Sequence, residues 1–128
     1  MKNLERILYV EDDPDIQSIG RLSLEKVGGF TVLCCSSGEQ ALERAPEFSP
    51  QLIVLDVMMP GMDGVDTLHG LRALPGTANT PTVFMTAKAQ PREVAELRRQ
   101  GAIDVLTKPF NPMTLSAQLL TLWQLLGT

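Results

Sequence analysis

Several residue types are scarce in this 128-residue chain, and their scarcity excludes several classes of protein. Its two cysteines, Cys34 and Cys35, are adjacent, so neither a disulfide-stapled scaffold nor a zinc site with spaced cysteine ligands is expected. We predict that both are free thiols, buried or half-buried in a core. The only histidine is His69, which we place on a helix surface away from any ligand cluster.

An excess of basic charge and long apolar runs are also lacking. Eleven Lys and Arg against fifteen Asp and Glu give a net charge of −4, whereas nucleic-acid binding needs clustered basic side chains. No apolar run approaches the roughly 20 residues that cross a bilayer, and the first residues lack the pattern of a signal peptide. We therefore predict a cytoplasmic protein of one domain, residues 1–128, with no direct nucleic-acid or membrane contact.

The chain contains five short apolar segments that alternate with segments of helical period. The predicted strands cover residues 6–10, 31–35, 52–55, 82–85 and 104–106, and the first, third and fourth are almost continuously apolar. Such runs are typical of parallel strands that are buried on both faces. Five strand–helix repeats predict an α/β fold, a flavodoxin-like doubly wound (βα)5 unit whose five-stranded parallel sheet has the order 2-1-3-4-5.

Capping residues and glycines bound the predicted helices. Asp13 caps the first helix, which has Pro14 at its first position and ends before Gly28. The other boundaries are a cap at Ser36 or Ser37 for the second helix, residues 65–73 for the third, 91–100 for the fourth, and 112–126, capped by Asn111, for the fifth. Because Asp13 precedes a proline, we interpret it as a cap rather than as a metal ligand.

Polar side chains follow four of the predicted strands. Glu11 and Asp12 follow the first, Asp56 the third, Thr86 the fourth and Lys108 the fifth. In a doubly wound sheet, ligands bind outside the carboxyl ends of the strands, where the strand order reverses, so these side chains should converge. Crowded carboxylates need a cation, and an oxygen-only ligand set favours Mg²⁺. A lysine and a hydroxyl facing them suit phosphoryl oxygens, so the site is predicted to carry out phosphoryl transfer.

Four segments resemble, in order and separation, the receiver domains of two-component response regulators. They are ILYVEDDP at residues 7–14, LDVMMPGMDG at 55–64, MTA at 85–87 and LTKPF at 106–110. The resemblance covers the whole chain. It implies that residues 1–128 are a receiver domain of the CheY-like superfamily, which is a signalling switch rather than an enzyme.

The resemblance also implies a role for each residue at the strand ends. Asp56 would be the phosphoacceptor, taking a phosphoryl group from the phosphohistidine of a sensor histidine kinase or a phosphotransfer protein. Asp12, Asp56 and the backbone carbonyl of Met58 would bind Mg²⁺ directly, and Glu11 would bind it through water. Thr86 and Lys108 would bind the phosphoryl oxygens, and the peptide bond after Lys108 would be cis.

Some positions depart from the family pattern. Val105 lies three residues before the site lysine, where many receivers have an aromatic side chain that turns inward on phosphorylation. A valine is small and stiff at χ1, so the signal must use another element. Charged residues of a known receiver dimer are replaced here by Ile103, Thr114 and Gln118. We predict that a downstream effector or a homodimer binds the face formed by the fourth helix, fifth strand and fifth helix.

The fifth helix has two apolar faces in its sequence. Leu115, Leu119, Leu122 and Leu126 are spaced as a core stripe, and Met113, Leu120 and Trp123 form a second ridge, although the position of Trp123 is compatible with either set. An apolar ridge on an outer helix indicates a partner surface, so we assign this ridge to the predicted interface.

Two other functions are compatible with parts of the pattern. A degenerate receiver would dock a partner without being phosphorylated, but every site residue type is retained. A magnesium phosphatase with an aspartyl nucleophile on a related fold would need a second Asp two residues after the first, as general acid. Met58 occupies that position, so turnover of an external phosphomonoester is not expected.

Overall fold

The computed structural model describes residues 3–127, in which five strands alternate with five α-helices. The strands are β1 (Arg6–Val10), β2 (Thr31–Cys35), β3 (Leu52–Asp56), β4 (Thr82–Thr86) and β5 (Asp104–Thr107). The helices are α1 (Pro14–Leu22), α2 (Gly38–Phe48), α3 (Gly64–Arg72), α4 (Pro91–Arg99) and α5 (Leu115–Leu126). A π-helical segment (Ser23–Val27) follows α1. No helix in the described range is long and apolar enough to cross a membrane.

All strand pairs are parallel, and the order β2-β1-β3-β4-β5 confirms the predicted fold. β1 is flanked by β2 and β3, with Tyr9 opposite Cys34 on one side and Val54 on the other. The strand order along the sheet therefore reverses between β1 and β3, because β2 lies on one side of β1 and the later strands lie on the other. Both strands end at the edge where a doubly wound sheet holds its ligand.

Each face of the sheet is covered by its own apolar cluster. Leu8 and Phe84 belong to the cluster under α2, α3 and α4, whereas Tyr9 belongs to the cluster under α1, the π segment and α5. This alternation follows the two-residue period of a strand. It also separates the two free cysteines, because Cys35 is buried in the first cluster and Cys34 is half-buried against the second. The prediction of free thiols is confirmed.

The first helix differs from the prediction at its end. Regular α geometry stops at Leu22, and the last residues before Gly28 wind as the π segment. The buried hydroxyl of Ser23 donates to the carbonyl of Pro112, and the hydroxyl of Ser116 donates to the carbonyl of Ser23 at 3.2 Å. We name these three residues, Ser23, Pro112 and Ser116, the serine link. It joins the end of the first helix to the start of α5.

The predicted start of the fifth helix is wrong by three residues. Residues 111–114 form a turn and α5 begins at Leu115. The Asn111 side chain accepts from the Met113 amide at 2.9 Å, so Asn111 stabilises this turn rather than the helix. The Pro112 carbonyl accepts from the Ser23 hydroxyl, so the turn is held by a tertiary contact that local sequence does not encode.

The first three helices are each capped by a short polar side chain. Asp13 accepts from the amides of Asp15 and Ile16 at 2.9 and 3.2 Å, which confirms it as the cap of α1. Of the two candidate serines, Ser37 caps α2. Asp63, which the sequence prediction did not identify, caps α3, and the helix begins at Gly64, one residue before the predicted start.

The apolar faces of α5 are only partly as predicted. Leu115 and Leu119 are fully buried and Leu122 is half-buried, but Leu126 is 46% exposed and does not belong to the core. The ridge also lies elsewhere than expected. Leu120 and Trp123 line a groove with Gly28 and Phe30, whereas Thr114 and Gln118 line the groove beside β5. Leu120 is therefore on the π-segment flank of α5, away from the predicted partner face.

Candidate functional site

Three carboxylates converge at the carboxyl edge of the sheet. Glu11 and Asp12 follow β1, and Asp56 is the last residue of β3, its neighbour in the sheet. Their oxygens can lie within 4.8 Å of one another, although Glu11 and Asp56 are buried and Asp12 is half-buried. This is the geometry of an oxygen-only cation site. With Lys108, these residues are named the edge cluster.

Lys108 supplies the positive charge of the edge cluster. Its ammonium lies 2.9 Å from Glu11 Oε1 and 3.3 Å from Asp56 Oδ1, with 17% of the side chain exposed. Burial alone would lower the pKa of Lys108, but the hydrogen bond to Glu11 and the charge of Asp56 outweigh it and raise that pKa. The lysine is therefore held charged between the two carboxylates. Its backbone amide donates to the Thr86 carbonyl at 2.9 Å, which ties the start of the β5–α5 loop to β4.

The charges of the edge cluster do not balance. Burial and the charge of Glu11 raise the pKa of Asp56 to about 7, although Lys108 opposes the shift. Three carboxylates lie beside one ammonium, which contacts Glu11 and Asp56, so the anionic form of Asp56 is only partly compensated. A hard divalent cation with oxygen preference fits this set of donors, which contains no nitrogen or sulfur.

Thr86 lies at the end of β4, beside the end of β3. Asp56 pairs with Met85, so Thr86 is one residue beyond the partner of Asp56. The Thr86 side chain is buried, and its oxygen accepts from the Lys88 amide at 3.1 Å. That contact uses the oxygen as acceptor and leaves the hydroxyl hydrogen for another acceptor.

The loop after Asp56 is shaped by a close backbone approach. A Cβ atom on Gly64 would lie 2.3 Å from the Asp56 carbonyl oxygen, so only glycine fits at the start of α3. Met58 lies within this loop and is 66% exposed. The assignment of its backbone carbonyl as a metal ligand stays a prediction.

Other residues considered from the sequence lie outside the edge cluster. Asp13 is exposed and occupied as a helix cap. His69 is exposed on α3, where its ring contacts Gln100 at 2.9 Å. The Lys108–Pro109 peptide is cis, as the family resemblance implied.

Two features of the site were not anticipated from the sequence. Lys108 contacts Glu11 more closely than Asp56, a pairing between residues 97 apart that no local pattern signals. The second is an apolar cavity of about 380 Å³ beside Lys108. It is lined also by Ile16, Ile19, Ala87, Pro109, Phe110 and Pro112. The i, i+3 spacing of Ile16 and Ile19 could have indicated an apolar face of α1 at this position.

Comparison with known proteins agrees with this geometry. The sequence model of the response regulator receiver domain matches residues 7–120. The DNA-binding response regulator MtrA of Mycolicibacterium smegmatis is 39% identical over 114 residues, which cover 89% of this chain and 48% of that protein. The alkaline phosphatase synthesis transcriptional regulatory protein PhoP of Bacillus subtilis is 36% identical, with coverages of 89% and 46%.

Solved structures show the same architecture. The chemotaxis protein CheY4 of Vibrio cholerae superposes with a TM-score of 0.86 at 29% identity, covering 93% of this chain and 98% of that one. In contrast, this chain spans about half the length of the curated relatives it matches. The similarity therefore concerns the part of those relatives that corresponds to these residues.

Proposed function

This chain belongs to the family of response regulator receiver domains, and we propose on that basis that it is a phosphorylation switch whose phosphoacceptor is Asp56. The observation that carries the proposal is the edge cluster. A buried carboxylate at a strand end lies 3.3 Å from a lysine ammonium and beside two further carboxylates. A structural ion pair would need only one of the three acids.

The phosphoryl group would come from the phosphohistidine of a sensor histidine kinase or a phosphotransfer protein. A carboxylate oxygen of Asp56 attacks phosphorus, the phosphorus–oxygen bond forms and the phosphorus–nitrogen bond breaks, which leaves an aspartyl phosphate and a free histidine. Lys108 neutralises a phosphoryl oxygen and the Thr86 hydroxyl donates to another. On contacting the phosphoryl group, Lys108 would give up one of the two carboxylates that it contacts now.

Mg²⁺ is the cofactor that the edge cluster fits. Asp12, Asp56 and the Met58 carbonyl would hold it directly, and Glu11 would hold it through water. When bound, the ion supplies the positive charge that offsets the carboxylates and the incoming phosphoryl oxygens. The chain's own contribution is the orientation of these oxygens at the strand ends.

Two surfaces near the site would bind different partners. The apolar cavity beside Lys108, between α1 and the β5–α5 loop, would receive the phosphodonor protein. The face formed by α4, β5 and α5 would bind an effector or a second copy of the chain. Half-buried Val105 lies on β5 there, so we assign the response to a shift of the β4–α4 loop rather than to an aromatic rotamer.

Location and output follow from the same proposal. A kinase-fed switch of this kind would act in the cytoplasm, and the domain would span residues 1–128. Nucleic-acid binding, as the name of MtrA describes for that relative, is not proposed for these residues because their net charge is −4. Turnover of external phosphate esters is not proposed either, because Met58 stands where such an enzyme would need a general acid.

The test is phosphorylation by acetyl phosphate with Mg²⁺, followed by intact mass. We expect the wild-type chain to gain one phosphoryl mass, and Asp56→Asn to gain none while it remains folded by circular dichroism. Asp66→Asn, an exposed carboxylate in the first turn of α3, is the matched control and should be phosphorylated normally. Equal labelling of Asp56→Asn and wild type would refute the acceptor. A wild-type chain that gains no mass would indicate the degenerate receiver.

A further inference from the structure

We propose that Gln17 is a positioning residue for the carboxylates of the edge cluster, an inference that rests on the proposed function in taking this edge as the Mg²⁺ site. Gln17 lies on α1, is half-buried and has no atom in the cluster itself. Its role follows from what its side-chain amide holds.

The amide nitrogen of Gln17 joins the ends of two neighbouring strands. It donates to the Glu11 carbonyl at 2.8 Å and to the Cys35 carbonyl at 3.2 Å, and lies 3.3 Å from Ser36 Oγ. An amide nitrogen has two hydrogens, so both carbonyls can be satisfied at once. The Glu11 backbone amide also donates to the Cys35 carbonyl at 3.0 Å, so two hydrogen bonds to that carbonyl connect the ends of β1 and β2.

The Glu11 carbonyl belongs to the peptide that links Glu11 to Asp12. Rotation of that peptide would change the directions in which both carboxylates point. The Glu11 carboxylate is restrained independently, by Lys108 at 2.9 Å and by the Asp13 amide at 3.1 Å. Gln17 therefore acts chiefly on the orientation of Asp12, which is the half-buried and more accessible carboxylate of the three.

Docking of α1 does not depend on Gln17 alone. Asp13 caps the helix, and Gly20 packs so closely on Tyr9 that a Cβ there would lie 2.4 Å from the Tyr9 hydroxyl oxygen. Loss of the Gln17 amide should leave the helix in place and release the peptide before Asp12. A positioning role thus predicts a change in metal affinity that exceeds any change in stability.

The experiment compares Gln17→Met with Ser18→Ala. Methionine keeps length and apolar volume but cannot donate, and Ser18 is an exposed neighbour whose hydroxyl bonds only within the helix, to the Pro14 carbonyl. We expect Gln17→Met to weaken Mg²⁺ binding by calorimetric titration about tenfold, since residues that orient metal ligands typically have effects of this size. The Mg²⁺ concentration that half-saturates labelling by acetyl phosphate should rise equally. The rate at saturating Mg²⁺ and the metal-free melting temperature should stay close to those of Ser18→Ala.

Each other outcome overturns a definite statement. Wild-type affinity in Gln17→Met, while Asp12→Ala loses binding, would overturn the role of Gln17 and leave the proposed function intact. A fall in melting temperature together with a lower rate at saturating Mg²⁺ would make Gln17 a structural residue and overturn the proposal. If the wild-type chain itself binds no Mg²⁺, the proposed function fails and this inference fails with it.

Discussion

The edge cluster and the serine link both bury polar groups where two segments meet, but their charges differ. In the edge cluster, Lys108 faces two buried carboxylates and a third lies beside them, so charge is left over. In the serine link, the neutral hydroxyls of Ser23 and Ser116 each donate to a backbone carbonyl. The first region carries excess negative charge, whereas in the second both hydroxyls are paired.

The contrast indicates which buried polar groups stabilise the fold and which serve chemistry. Buried polar groups that are fully paired favour a single structure, whereas unbalanced buried charges lower stability. Substitutions in the serine link should therefore lower stability and spare phosphorylation. Substitutions in the edge cluster should change phosphorylation, and their effect on stability should depend on the sign of the charge removed.

The largest loss of stability from a substitution is expected for Lys108→Ala in the absence of metal. Removing the ammonium leaves Glu11 and Asp56 buried without a counter-charge, and breaking a buried pair costs about 3 kcal/mol. Urea unfolding at pH 8 would measure this loss, and saturating Mg²⁺ should restore part of it. Lys108→Met, which keeps most of the apolar stem, should be nearly as destabilised, because both variants lose the positive charge.

Lys108→Ala should also still bind Mg²⁺ but respond less to phosphorylation. Amide chemical shifts of phosphorylated wild type and variant would be compared over α4 and residues 102–106. Equal shifts would contradict a role for Lys108 in transmitting the signal. Unchanged unfolding free energy in both lysine variants would contradict the description of the edge cluster as charge-unbalanced.

Ser23→Ala should be the most damaging change in the serine link. It removes the hydrogen bond from the buried Ser23 hydroxyl to the Pro112 carbonyl, and losing such a part-buried bond costs about 1.5 kcal/mol. Ser116→Ala should cost less, about 1 kcal/mol, because the Ser23 carbonyl also accepts from the Gly28 amide at 3.1 Å. Urea unfolding gives both values. Phosphorylation of either variant at a rate below half that of wild type would break the separation of the two regions.

The pH dependence of stability should distinguish the regions without changing the volume of any side chain. The folded-state pKa of Asp56 is raised to about 7, above its ordinary value of 3.8, so the folded chain binds a proton that the unfolded chain releases. This contribution is present below the unfolded pKa and is lost as pH rises from about 4 to 7. For one proton the slope is at most about 1.4 kcal/mol per pH unit.

Thermal unfolding of the metal-free chain from pH 4 to 8 would measure that dependence. Asp56→Asn should remove this component, whereas Ser23→Ala should give a curve parallel to that of wild type. A curve for Asp56→Asn that is parallel to wild type over pH 4–7 would mean that Asp56 carries no raised pKa.

The sequence predicted the sheet and the edge cluster for the same reason. Continuous apolar runs fix the parallel strands, and once the order is set, residues at the strand ends such as Asp12, Asp56 and Lys108 must meet. Local patterns of this kind are readable because each strand carries its own signal. Asp13 was likewise assigned correctly, because capping depends on the next few residues alone.

The serine link and Gln17 could not be predicted, because their partners are remote or are backbone atoms. Ser23 and Pro112 are 89 residues apart, and a carbonyl acceptor leaves no trace in residue type. The start of α5 was missed because Asn111 and Pro112 form a plausible helix start, which the tertiary contact of Pro112 overrides. The flank on which Leu120 lies depends on the rotation of α5, which its apolar spacing alone did not settle.

The smallest effect, and the one of opposite sign, is expected for Asp12→Ala. Asp12 is half-buried beside Glu11 and Asp56, so its removal relieves repulsion between like charges. Because Asp12 is partly solvated, the gain in metal-free unfolding free energy should be on the order of 0.5–1 kcal/mol. Mg²⁺ binding, followed by calorimetric titration, should fall below detection at the same time.

Asp15→Ala, which removes an exposed carboxylate in the first turn of α1, should lose slight stability and keep its affinity for Mg²⁺. A destabilised Asp12→Ala would place Asp12 with the serine link as a structural group, and unchanged affinity would exclude it as a ligand. A gain in stability with a loss of metal affinity would establish that the half-buried Asp12 carboxylate is retained for its ligand, whereas the buried hydroxyls of the serine link are retained for the fold.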